Sequence, residues 1–247
     1  MNETGLELEA KEIYKRFGSL VVLDGVDFTV APDEAVGIVG PNGAGKTTLL
    51  SILSGAQTPS SGRVALGGRD VTRMNSSARC RLGLVRTHQI PRPFSGMTAF
   101  ENIFVAAAHG ENFDRGQAYD RVVDALALCG MSRIANRRAD TLGLLDRKRL
   151  ELARALGANP NILLLDEIGG GLTDAEASEL VDVIRELRRR KIAIVWIEHI
   201  VHILLQVVER LVCMDQGRVI ADGEPRAVMA DTAVVEAYFG GDIHGVA

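Results

Sequence analysis

The stretch Val36-Gly37-Ile38-Val39-Gly40-Pro41-Asn42-Gly43-Ala44-Gly45-Lys46-Thr47-Thr48-Leu49-Leu50-Ser51-Ile52-Leu53 decides the fold. Gly40, Gly45, Lys46 and Thr47 stand at the spacing of a phosphate-binding loop: Gly, four residues, Gly, Lys, then a hydroxyl residue. The apolar run Val36–Val39 predicts a strand before the loop, and Leu49–Leu53 a helix after it. In that setting successive backbone N–H groups and a helix N-terminus converge on a polyphosphate, and glycines let the backbone approach it. A plain Gly-rich turn accounts for the composition but not for the flanking strand and helix. Residues Gly40, Pro41, Asn42, Gly43, Ala44, Gly45, Lys46, Thr47 and Thr48 are therefore expected to hold the phosphates of a nucleoside triphosphate.

With 247 residues and 47% hydrophobic content, the chain is long enough for one α/β domain with an inserted subdomain, and too apolar for disorder. No apolar run approaches the roughly 18 residues of a membrane-spanning helix. The polar start Met1-Asn2-Glu3-Thr4 predicts no secretory signal. Cys80, Cys129 and Cys213 follow no metal-ligand spacing and are expected to be reduced core residues. A net charge of −4 offers no footprint for nucleic acid. The basic runs Arg137-Arg138 and Arg188–Lys191 are most simply solvated helix faces.

Leu6–Ile13 and Val21–Val30 alternate apolar and polar residues, as antiparallel strands do. Val36–Val39, Val85–Thr87, Ile162–Leu165 and Ile192–Ile197 are denser, as expected of strands buried on both faces of a parallel sheet. Leu180, Ile184 and Leu187 share one face of a helix over Ala175–Arg190. A hairpin is expected at Leu211–Asp215 and Arg218–Ala221, turned by Gln216-Gly217, with two short helices after Gly223-Glu224-Pro225. From Thr98 to about Asn159 helical patterns replace the strands, at Thr98–Ala108, Gln117–Cys129 and Leu142–Gly157.

The strand Ile162–Leu165 ends in Asp166-Glu167, and carboxylates there open into the crevice where α/β sheets bind ligands. Beside a phosphate loop, Asp166 is expected to hold Mg²⁺ through water, opposite the Thr47 hydroxyl. Glu167 is placed to orient and deprotonate a water attacking the γ-phosphate. His199 follows the strand Ile192–Ile197 in the same way, although a lone histidine is more often a packed or surface residue.

The order phosphate loop, Gln89, Asp166-Glu167, His199 resembles the ATP-binding cassette (ABC) ATPases over nearly the whole chain. That resemblance implies a RecA-like P-loop NTPase core, α/β in class, with an N-terminal antiparallel β-subdomain and an inserted all-helical subdomain. The 1–247 unit would then divide into a core of 1–89 and 160–247 and a helical subdomain of 90–159. It implies ATP hydrolysis with Mg²⁺, adenine stacked on Phe17 (Tyr14 being the fallback), and Gln89 sensing Mg²⁺ and γ-phosphate. It makes Lys46, Gln89, Glu167 and His199 the catalytic set, His199 contacting the γ-phosphate, and Thr47, Gln89 and Asp166 the metal set. Gly170-Gly171-Leu172-Thr173 lies where the family's dimer-contacting loop belongs, with Thr173 in place of the usual Asp.

One departure stands out. The family signature Leu-Ser-Gly-Gly-Gln is replaced by Leu142-Gly143-Leu144-Leu145-Asp146. In these ATPases two subunits close head to tail, and each signature caps the triphosphate on the other's phosphate loop. Leucine side chains crowd an approach that glycine permits, and Asp146 adds negative charge near a triphosphate. The weakened site would be the partner's, which favours a second, different ATPase subunit; a homodimer, or a signature acting through backbone and dipole alone, is the alternative.

Arg86-Thr87-His88-Gln89, Arg149–Leu156, Gly170–Thr173, Ile197-Glu198-His199 and the closing Glu236-Ala237-Tyr238-Phe239-Gly240 resemble the ATPase subunits of branched-chain amino acid importers. The expectations follow: separate transmembrane permease subunits, a periplasmic or extracellular solute-binding protein acting indirectly, and a peripheral location on the cytoplasmic face of the membrane. The solute would be a branched-chain amino acid or a related amide or urea. An exporter subunit and a soluble, non-transport ATPase of the family are the alternatives. The loop Ile90–Met97, with two prolines and three large apolar residues, is expected to receive a helix of the permease.

Overall fold

The computed structural model describes residues 6–110 and 115–239; Met1-Asn2-Glu3-Thr4 and Gly240 lie outside them. In chain order the elements begin with β1 (Leu8–Phe17), β2 (Leu20–Val30), β3 (Ala35–Val39), α1 (Lys46–Leu53), β4 (Ser61–Leu66), β5 (Arg69–Asp70), α2 (Ser76–Cys80) and β6 (Leu84–Arg86). Helices α3 (Ala99–Gly110), α4 (Arg115–Leu128) and α5 (Leu144–Gly157) follow. The chain then runs through β7 (Ile162–Asp166), α6 (Asp174–Arg189), β8 (Ala193–Ile197), α7 (Val201–Leu204), β9 (Arg210–Asp215), β10 (Arg218–Gly223), α8 (Pro225–Ala230) and α9 (Thr232–Phe239).

Two sheets result. An antiparallel sheet has the order β2-β1-β4-β5, and a larger one the order β10-β9-β3-β8-β7-β6. In the larger sheet β9, β3, β8, β7 and β6 run parallel, and β10 closes the edge antiparallel. The dense apolar runs explain this. Side chains alternate between faces along a strand, and here each face has its own core. Val36, Ile38, Ile162, Leu164, Val195 and Ile197 join α1 and the antiparallel sheet, while Val39, Leu163, Leu165, Ile194 and Trp196 join α5 and α6. Helix α1 is thus held between the two sheets.

The expected hairpin forms between β9 and β10, and its turn has Gln216 at φ 44° and Gly217 at φ 79°, the left-handed pair of a tight hairpin. Glu224 caps α8 at the Ala227 N–H, with Pro225 in its first turn. Strands β4 and β5 and helices α2 and α7 carry no signal in the sequence pattern; they are short, and tertiary contacts hold them. One of those contacts is a buried cation. Arg79 on α2 donates to the Ile52 and Leu53 carbonyls at 2.7 and 2.6 Å, and to the Met74 and Thr72 carbonyls at 3.1 Å. It thereby adds a cation to the carbonyls at the end of α1, of which Ile52's also accepts the Gly55 N–H, and burial lowers its pKa to about 10.

Among the described residues all three cysteines are free, with Cys129 and Cys213 buried. No described helix is long and apolar enough to cross a membrane.

Candidate functional site

The glycine loop folds as its composition demands. Gly40, Gly43 and Gly45 have φ of 141°, 85° and 97°, where a Cβ is strained. At Gly40 an added Cβ would also lie 2.0 Å from the Met214 carbonyl oxygen, so the loop rests directly on the β9 backbone. Gly45 is the N-cap of α1, with no capping side chain and no acid in the first turn. A helix start leaves N–H groups without intrahelical partners and carries a partial positive charge. This one is left open to an anion.

Lys46 is buried, and its ammonium donates to the Gly40 and Pro41 carbonyls at 2.7 and 2.9 Å. Burial lowers its pKa, opposed by the charge of Glu167. Residues Asn42 to Thr48, with Val22, Glu167 and His199, line an open cleft of about 190 Å³. Thr47 is exposed at the helix start.

The remaining groups arrive from the C-terminal ends of adjacent strands, β8, β7 and β6 beside β3. Asp166 is buried; Arg86 holds its Oδ2 at 2.6 Å and also donates to Ser51 Oγ of α1 at 2.9 Å. The other oxygen, Oδ1, is buried without a hydrogen-bond partner. Glu167 has φ 47°, and its N–H donates to the Ile197 carbonyl at 2.9 Å. That backbone turn presents its carboxylate to two donors at once: the Gln89 amide on Oε2, and His199 Nε2 on Oε1 at 2.9 Å. Beneath them buried Glu198 accepts the Gly169 N–H at 2.6 Å, and desolvation raises its pKa.

Helix α5 ties the helical block to these loops through side chains three residues apart, which share a helix face. Buried Lys148 donates to the carbonyls of Gln89 and Glu167 at 2.9 and 3.2 Å. Glu151 accepts the His88 N–H at 3.2 Å, and Arg154 donates to the Arg92 carbonyl at 2.9 Å. Neither this triad nor Arg86 was among the sequence candidates. Its only sequence signal is three charges on the face of α5 that also carries buried Leu152 and Leu156.

The stretch replacing the signature opens α5. Gly143 is the N-cap without a capping side chain, Leu144 is 47% exposed, and Asp146 occupies the first turn, 3.8 Å from Arg149. An acid there already complements the helix dipole, so this helix start is a poorer anion site than that of α1. Thr173 makes a capping box with Glu176 at the start of α6, which gives the residue standing in for Asp a local purpose. Phe17 does not line the cleft. It sits at the tip of the β1–β2 hairpin, 49% exposed, with the Lys15 ammonium 4.9 Å above its ring. Tyr14 packs against Gly25 instead.

A glycine loop ahead of an uncapped helix, with carboxylates and a histidine at neighbouring strand ends, defines a P-loop nucleoside triphosphatase. The family comparisons narrow that class. The model of the ABC transporter family matches residues 23–169, and that of the branched-chain amino acid ATP-binding cassette transporters matches residues 218–244. The chain belongs to the ABC transporter ATP-binding cassette family and is an ATPase. It is 34% identical, over 94% of its length and 97% of the relative, to the high-affinity branched-chain amino acid transport ATP-binding protein LivG of Escherichia coli K12. It is 31% identical, over 94% and 97%, to the lipopolysaccharide export system ATP-binding protein LptB of Haemophilus influenzae. The crystal structure of the ADP conformation of an ATP-binding cassette of an ABC transporter superposes with a TM-score of 0.86 at 29% identity, covering 95% of this chain and 99% of that one.

Proposed function

We propose that this ATPase drives import of branched-chain amino acids, or of related amides or urea, through separate permease subunits at the cytoplasmic face of the membrane. The observation that carries the ATPase half is the cleft itself, where Lys46 and the open start of α1 face Glu167 and His199. The match of 218–244 to the branched-chain transporter model supports the solute class.

In this reading Lys46 exchanges its two loop carbonyls for β- and γ-phosphate oxygens. Thr47, Gln89 and Asp166 would hold Mg²⁺; the unpartnered Asp166 Oδ1 fits a hydrated divalent ion, which keeps several waters and takes few carboxylates. Mg²⁺ would neutralise charge developing on the phosphates. Glu167 takes the proton of the attacking water. Each of its oxygens has one donor and keeps a lone pair for that water. His199 then turns to the γ-phosphate, and Phe17 stacks the adenine.

The helical block 90–159 acts as a subdomain whose outer loop meets the permease. Ile90, Phe94 and Met97 there are 71, 45 and 38% exposed, and Asn102 fixes the loop by accepting the Phe94 N–H at 2.8 Å. The cleft is smaller than the roughly 300–1,000 Å³ of self-contained ligand pockets, as expected when a second ATPase subunit completes it.

Vesicles holding this chain, a second ATPase and their permeases test the reading. ATP inside the cell-equivalent compartment should drive uptake of radiolabelled leucine presented with its binding protein. Outward movement of substrate, as the likeness to LptB would have it, overturns the import reading and leaves the ATPase intact.

A further inference from the structure

The hydroxyl of Tyr238, on the last described helix, lies 2.7 Å from the backbone nitrogen of Gly40 and accepts its N–H across 198 residues. We infer that Tyr238 is a positioning residue for the phosphate-binding loop, and that nucleotide binding at the loop and docking of α9 are coupled through this bond.

Gly40 is where β3 ends and the loop begins, and it is the hinge between them. The ladder with β9 runs only to the pair Val39–Cys213, so the next N–H has no strand partner. A buried amide needs one. Tyr238 supplies it. On the other side of the same Cα, the Gly40 carbonyl accepts from Lys46. The two peptide groups flanking Gly40 are thus held by two different side chains, one from α9 and one from the loop. The Met214 carbonyl blocks any side chain at this Cα, and φ of 141° suits glycine alone.

When Lys46 moves to phosphate oxygens, the Gly40–Pro41 peptide loses its cation, and Pro41 has no N–H to offer. The Tyr238 bond then remains to set the angle at which the loop leaves β3. That angle aims the N–H groups of Gly43 to Thr48. Helix α9 is held for this by Val234, 1% exposed, and by Asp231, which accepts the Ala233 N–H at 2.8 Å. Burial raises the Tyr238 hydroxyl above its ordinary value, so it stays protonated.

Coupling of two sites is reciprocal, so a nucleotide that needs the loop in this geometry also tightens α9. The inference rests on nucleotide binding at Lys46 and not on the solute or the direction of transport. Hydrogen exchange and equilibrium binding on the purified full chain test it, with ADP as the probe. ADP should slow exchange of the peptide over Thr232–Phe239 in the parent. Tyr238→Phe keeps the ring but should abolish that slowing and weaken ADP by about threefold to tenfold, one hydrogen bond's worth. Val235→Ala, one turn away on the same helix and unable to bond the loop, should keep both properties. An α9 indifferent to ADP in the parent, a Tyr238→Phe chain that keeps both, or equal losses in Val235→Ala each overturn the inference. A parent chain that binds no ADP would instead sink the nucleotide reading.

Discussion

Glu167, the base in the proposed reading, has a backbone as unusual as its position. A non-glycine residue at φ 47° is uncommon, and here the strain is held by the Ile197 carbonyl and by the Lys148 ammonium on Glu167's own carbonyl. Glu167→Gln removes the proposed base but keeps the shape, so phosphate release should fall by about 10²–10⁴-fold while ATP affinity holds. Parental turnover in a phosphate-release assay would refute the role given to Glu167. Lys148→Met leaves two part-buried carbonyls without their cation, a loss of about 1 kcal/mol in stability. Its kcat should drop more than its ATP affinity, because the main chains of both Gln89 and Glu167 lose an anchor, and Lys148→Arg should recover part of it. A melting curve paired with a kcat and KM split checks both statements. The contrast between these residues shows what can be read without coordinates. Lys46, Asp166 and Glu167 announce themselves because phosphate chemistry fixes their types and spacing. Lys148, Arg86, Arg79 and Tyr238 do not, because their partners are backbone atoms or acids far along the chain.

Helices tell the same story one level up. Strands β3, β7 and β8 and helices α3 to α6 were visible as apolar runs and 3.6-residue periodicity. Strand β5 has two residues and α2 five, too few to show a period; β5 pairs with β4 and α2 is tied to α1 by Arg79, contacts that only folding creates. Helix α5 combines both cases: its apolar face was legible, its grip on residues 88–92 was not. Since Arg154 also lies 5.2 Å from the Phe94 ring, the outer loop and the catalytic loops hang from one helix. Phe94→Asp should therefore reduce co-purification with the permease at least tenfold and leave ATP binding within twofold. Undiminished co-purification would show that the permease docks elsewhere.

If this chain pairs with a different ATPase as proposed, the altered signature would make the two ATP sites unequal. This chain would contribute an intact loop to one site and Leu144, Leu145 and Asp146 to the other. Gly143→Ser, Leu144→Gly, Leu145→Gly and Asp146→Gln together restore the family sequence. In a complex with a different ATPase partner they should raise total hydrolysis, by about ten- to a hundredfold at the partner's loop if a phosphate donor worth roughly 1–3 kcal/mol returns. A complex whose rate stays unchanged would mean that the native stretch already serves. The fold places one more demand on the cell, at synthesis. The loop is translated before the segments that shape it: its floor is the Met214 backbone, its Ala44 carbonyl accepts the Gly217 N–H at 3.1 Å, and its Gly40 N–H waits for the Tyr238 hydroxyl. At about 5–20 residues per second, the growing chain spends many seconds with its phosphate loop made but shapeless. Ribosome-bound chains halted before Arg210 should therefore ignore a fluorescent ATP analogue, while released full-length chains bind it. Nucleotide capture would then wait until β9, β10 and α9 have emerged.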